Sequence, residues 1–229
     1  ILLFLKDGKC LNFFYTMTEN EKYLYDHFLI SIKSGFESLE DIITEAIEAV
    51  EDEGWESEIS EEWIRDIFGK EYAKNESESK TWQRPTDTDK LHTVFDNLCK
   101  EKIVALHNAG YTQSEAIYDV QDVWQDLEDN GVKPIGYCYY HGQDLERVIQ
   151  TGVLSVGFYG EKEKNDKEAI LIGNKIVAQL KNQGFTVEWD GSASKRIEVV
   201  DFKWQNRFTS DDEVAEKWGY DRVLDLMEE

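Results

Sequence analysis

The sequence predicts an α+β protein: a mixed sheet of about five strands with helices mainly on one face, preceded by an N-terminal helical region. Three observations predict it. Apolar side chains recur at helical spacing over the first eighty residues. Beyond residue 90 the apolar period switches back and forth between about 3.6 and 2. Two of the later strand candidates are apolar on one face only, which suits a sheet covered unequally rather than one wound between helices on both sides.

The first helix is expected to begin at "TENEKYLYDHFL", with Thr18 as cap and Glu21 three residues on. Met17, just before it, is the first methionine, so residues 1–16 read as an extension outside the core fold. Lys6, Asp7 and Lys9 interrupt the apolar run there, which argues against a signal peptide. Leu39, Ile42, Ile43, Ala46, Ile47 and Val50 form one helical stripe that Gly54 ends. A shorter helix with Ile59, Trp63, Ile67 and Phe68, capped by Ser60, is expected to stop near Gly69. The polar stretch 74–90, which contains Pro85, reads as a linker and the best candidate boundary. The chain is therefore divided into an acidic helical region at 17–80, an α+β core at 81–208 and a C-terminal helix at 209–229.

Within the core, Leu91, Val94, Phe95 and Leu98 make an amphipathic helix, and "IVAL" at 103–106 a buried strand. A helix over about 112–129 closes at "NGVKP", and a strand over 135–140 follows. A short helix carries Leu145, Val148 and Ile149. Leu154, Val156 and Phe158 alternate with Ser155 and Gly157 in the next strand, and a long helix covers roughly 166–182. Two alternating runs around "DGSASK" suggest a hairpin, and the tail from 211 to 227 suggests one helix.

Composition narrows function by exclusion. With 41% hydrophobic residues and 13% aromatics the chain has the payload of a globular core. A net charge of -23 argues against nucleic acid or an anionic membrane surface as partner, and no stretch has the length of an apolar span. Residues 37–62 hold twelve Asp and Glu and no Lys or Arg, which reads either as a solvated helix face or as a docking surface for a basic protein. Three scattered cysteines, Cys10, Cys99 and Cys138, fit reduced thiols in a cytoplasm, and no zinc spacing is present. No nucleotide, serine hydrolase or zincin motif occurs, and no cofactor is expected.

Two polar clusters are candidates for chemistry. In "GYCYYHGQDLER", Tyr137, Tyr139 and His141 point one way from an extended chain and Cys138 the other, so a Cys and His pair is disfavoured. His141 is the candidate general base, supported by Asp144 or Glu188, with Tyr137, Tyr139 and Gln143 as ligand-binding side chains. The competing reading is a structural corner in which Gln143 or Asp144 caps a helix. In "VEWDGSASKR", Glu188 and Asp190 could flank a metal or a hydroxyl, but a turn at Asp190 and Gly191, with Lys195 or Arg196 pairing Glu188, explains them equally.

The segments "TWQRPTDTDKL", "IVALHNAGYTQSE", "GYCYYHGQDLERVI", "GVLSVGFYG" and "VEWDGSASKRIEV" together resemble a family of bacterial proteins known as a domain of unknown function, with a G-Y-x-x-x-H-x-Q-D core, over about residues 80–207. The resemblance carries no assigned chemistry. It implies that the corner recurs, which singles out Tyr137, His141, Gln143 and Asp144. Two functions stay open: an acidic binding or regulatory protein, for example an immunity-type partner of a basic toxin, and a hydrolase-like enzyme or small-ligand binder using the His141 corner.

Overall fold

The computed structural model describes residues 17–160 and 165–228; the expectation for residues 1–16 lies outside them. The chain opens with α1 (Glu19–Ser34), α2 (Leu39–Glu53) and α3 (Glu61–Ser79). Each start is capped as its sequence requires: Thr18 and Glu21 close a capping box, and the Ser38 and Ser60 hydroxyls accept from the amides of Asp41 and Trp63. The three helices enclose a core of their own, built on Leu24, Phe28, Ile42, Ala46, Ile64 and Phe68. Here α3 runs ten residues past Gly69. The loss of about 1 kcal/mol for a helical glycine is outweighed locally: Lys70 pairs with Asp66, Tyr72 packs on the bundle core, and Asn75 Nδ2 donates to the carbonyl of Ile32 at 3.2 Å.

The sheet follows, interleaved with helices: α4 (Asp87–Lys100), β1 (Ile103–Leu106), α5 (Gln113–Asp129), β2 (Gly136–Tyr139), α6 (Gly142–Thr151), β3 (Leu154–Gly160), α7 (Asp166–Asn182), β4 (Thr186–Glu188) and β5 (Ile197–Val200). Strand order is β1-β2-β3-β5-β4, with β1 and β2 parallel and every other pairing antiparallel, so the sheet is mixed. The parallel pair is joined through α5, as a parallel connection demands. The tail forms two helices rather than one, α8 (Asp211–Trp218) and α9 (Tyr220–Glu228), because the chain is extended at Gly219. That break lets Trp218, Val223 and Met227 all become buried.

Pleating divides the sheet. Cys138, Val156, Phe158, Ile197 and Val199 face α4 and α7 and are buried. Gly136 admits Ile172 of α7 so closely that a Cβ there would lie 2.6 Å from the isoleucine side chain. The opposite face carries Tyr137, Tyr139, Ser155, Gly157, Tyr159 and Glu198. α5, beside β1, and α6, beside the start of β3, pack there. Among the described residues no helix is long and apolar enough to cross a membrane.

Two side chains that follow β5 tie the sheet to the end of α1. Trp204 Nε1 and Asn206 Nδ2 both donate to the carbonyl of Ser34 at 3.0 Å, and Asn206 Nδ2 also reaches the carbonyl of Gly35 at 3.1 Å. Gly35 has φ 71° and would place a Cβ 2.6 Å from the Asn206 backbone, so this junction requires glycine for both conformation and space. Asn206→Ala removes the side-chain donor to the buried Gly35 carbonyl and one of the two to the Ser34 carbonyl. It should lower stability by about 1–3 kcal/mol, measured by urea unfolding, and should raise hydrogen exchange in α1 and α6 ahead of β2.

Candidate functional site

The end of β2 builds the corner that the sequence singles out. Tyr137 and Tyr139 project from the same face, their rings 6.3 Å apart and inclined by 20°, and the His141 ring continues the row 6.3 Å beyond Tyr139. Gly142 begins α6, and the capping residue is His141 itself rather than Gln143 or Asp144. Asp144 closes the box by accepting the His141 backbone N–H at 3.1 Å. Both side chains are buried, at 5% and 4% exposure.

The decisive neighbour comes from 52 residues away. Arg196, at the entry to β5, donates from Nη1 to Asp144 Oδ1 at 3.0 Å and from Nη2 to Oδ2 at 2.5 Å, the bidentate geometry of a strong guanidinium–carboxylate pair. Its Nη2 also donates to the carbonyl of Ser155, and its guanidinium lies 5.7 Å from the centre of the Tyr139 ring. Nothing local in the sequence announces this pairing; the hairpin pattern sets Lys195 or Arg196 against Glu188 instead.

Both ring nitrogens of His141 face protein groups. Nε2 lies 3.3 Å from Arg196 Nη1, while Nδ1 accepts the Asp144 backbone N–H at 3.3 Å and lies 3.2 Å from Asp144 Oδ2. Burial pushes the imidazole pKa down, Asp144 opposes this and Arg196 adds to it. A ring held neutral, with both nitrogens already facing protein partners, is a poor starting point for proton abstraction from a substrate.

The other candidates are dispersed. Glu188 is exposed on the edge strand β4, opposite Glu198, which Arg147 neutralises at 2.8 Å. Gln143 is exposed on the first turn of α6. Asp190 Oδ1 accepts the Ser192 amide at 2.9 Å, as a turn residue does. Cys138 is buried on the opposite face near Cys99; burial pushes the Cys99 thiol up to about 12 and Cys138 up as well. Among the described residues no group of three or more His, Cys, Asp or Glu is placed to hold a metal ion. Tyr137 and Tyr139 do line a cavity of about 430 Å³, between α5 and the loop preceding β5.

Two further features carry chemistry. The α2 face presents Asp41, Glu45, Glu48, Glu51 and Asp52 to solvent, with Tyr23 exposed beside it in edge-to-face contact with Trp55, ring centres 5.9 Å apart. Elsewhere, His107 is buried between Phe95, His92 and Trp218, with ring centres 4.3, 5.7 and 4.7 Å away. Neither of its ring nitrogens has a hydrogen-bond partner among the described residues.

Two outcomes are expected. Arg196→Ala, which strands a buried carboxylate, should cost about 2–4 kcal/mol in urea unfolding, whereas His141→Ala, which removes a cap, should cost about 1 kcal/mol and leave the far-ultraviolet circular dichroism unchanged. Burial lowers the pKa of both His92 and His107, the latter far below its usual 6.5. Only the unfolded chain then takes up protons readily. Their contribution to stability is full above the unfolded value and is lost as pH falls through it towards the folded values. The melting temperature should decline between about pH 7 and pH 5, and His107→Phe should flatten that decline.

No curated protein and no solved structure matches the chain. A family model does, described as "Domain of unknown function (DUF6891)", and its match runs from residue 17 to residue 208, through the helical bundle as well as the sheet. The chain therefore belongs to the DUF6891 family.

Proposed function

We propose that this is a non-catalytic binding protein whose acidic helical face docks a basic protein partner, such as a basic toxin that it would neutralise. The observation that carries the reading is the row of solvent-facing carboxylates on α2. Asp41 and Glu45, Glu45 and Glu48, and Glu48 and Asp52 follow one another at three- and four-residue spacing, where like charges repel by about 0.2–0.5 kcal/mol per pair. Among the described residues, Arg65 pairs with α2 at Glu40, outside this row. The aromatic pair Tyr23 and Trp55 stands at its margin, and aromatic anchors beside charge are what protein interfaces favour. Tyrosine and tryptophan faces also attract Lys and Arg. The occupation of both His141 ring nitrogens, by the Asp144 amide and by Arg196, supports the non-catalytic side of the reading.

Pull-down from lysate at low and high salt tests it, with the variant Glu45→Lys/Glu48→Lys/Asp52→Lys alongside. The expected result is a basic protein retained at low salt, released at high salt, and bound at least ~10-fold more weakly by the variant. Capture indifferent to both salt and charge reversal would remove the proposal. Independently, added salt should raise the melting temperature of the native chain more than that of the variant, because it screens the repulsion along α2.

A further inference from the structure

The acidic face leaves unexplained why one side of the sheet is paved with tyrosine under a cavity. Between α5 and the loop that precedes β5, Tyr137, Tyr139 and Tyr159 form the floor of the 430 Å³ cavity, and a second cavity of about 330 Å³ adjoins it, sharing Ile117 and Tyr137. The floor is flat for a stated reason. Tyr139 faces Gly157 across the strands, and a Cβ at Gly157 would lie 2.6 Å from the tyrosine Cζ, so the glycine lets the ring lie across β3. Tyr137 and Tyr139 are held near parallel.

The rim is basic and preorganised. Trp189 Nε1 donates to the carbonyls of Ser192 and Lys195 at 3.0 and 3.1 Å, which pins the loop that carries Ser194 and Lys195. The indole is itself wedged into the core, edge-on to Phe158, over Gly173, where a Cβ would lie 2.7 Å from it. Lys195 is exposed on the cavity lining and forms no ion pair within 4 Å among the described residues, whereas the Arg196 charge is matched by Asp144. In a chain of net charge -23, an ammonium on a pinned loop beside stacked tyrosines, with Asp190 the acidic group whose field it shares, selects an anion that brings a ring with it. The two cavities together suit a ligand of the size of a mononucleotide or smaller.

We infer that this trough binds a small organic anion in which a flat ring carries a phosphate or carboxylate. The ring lies on Tyr137, and the anionic group meets the Lys195 ammonium beside the Ser194 hydroxyl. The inference is independent of the acidic face.

Isothermal titration and 1H–15N NMR of the whole chain with AMP, phenyl phosphate and benzoate, and with neutral adenosine and phenol as controls, test it. At least one anion should bind saturably, with shifts centred on residues 137–139 and 193–196. Lys195→Glu should weaken it at least ~10-fold, an amount set by one lost charge contact, and Tyr137→Ala likewise, whereas the triple α2 variant should bind normally. Three results would overturn the inference: no saturable binding by any anion, equal affinity for the neutral controls, or binding unaltered by both trough variants.

Discussion

The pairing of Arg196 with Asp144 is the constraint on which the corner depends. It joins the entry of β5 to the first turn of α6, which are separated in the sheet by β3, and it crosses β3 by way of the Ser155 carbonyl. A carboxylate as buried as Asp144 is tolerable only with its charge matched and its lone pairs satisfied. The guanidinium does both, and the backbone N–H of His141 completes the shell. The same guanidinium faces His141 Nε2 and lies over Tyr139. One long-range ion pair thus decides the chemistry of a cluster that looks local in the sequence.

Much of the architecture was legible because it rests on short-range physics. Thr18 and Ser60 cap where the hydroxyl and the following acidic or apolar pattern say they should, and the stripe of α2 buries most of the residues its spacing selects. The mixed five-strand sheet follows from the same period switches. The two misjudged helix ends have a common cause. Gly69 does not end α3 and Gly219 does divide the tail, because packing, which a single glycine does not announce, decides between tolerating and using it.

The candidate site was legible only by side. Alternation placed Tyr137, Tyr139 and His141 together and Cys138 away from them. It could not reveal that Arg196 would take Asp144 in preference to Glu188, because that choice depends on the antiparallel register of β3 and β5 and on which strand becomes the edge. Lys195 and Trp189 were missed as features of the tyrosine face for the same reason. Their loop is adjacent to it in space and some fifty residues distant along the chain.

The contact between Tyr139 and Gly157 has a consequence for how such a sheet can change through descent. A strand glycine is a weak choice by itself, and an alanine there would ordinarily be an improvement. Here the phenol ring occupies the volume that any side chain would need. Positions 139 and 157 therefore behave as one unit of variation: relatives that keep the aromatic must keep the glycine, and those that trade it for a small residue are free to restore a branched side chain opposite.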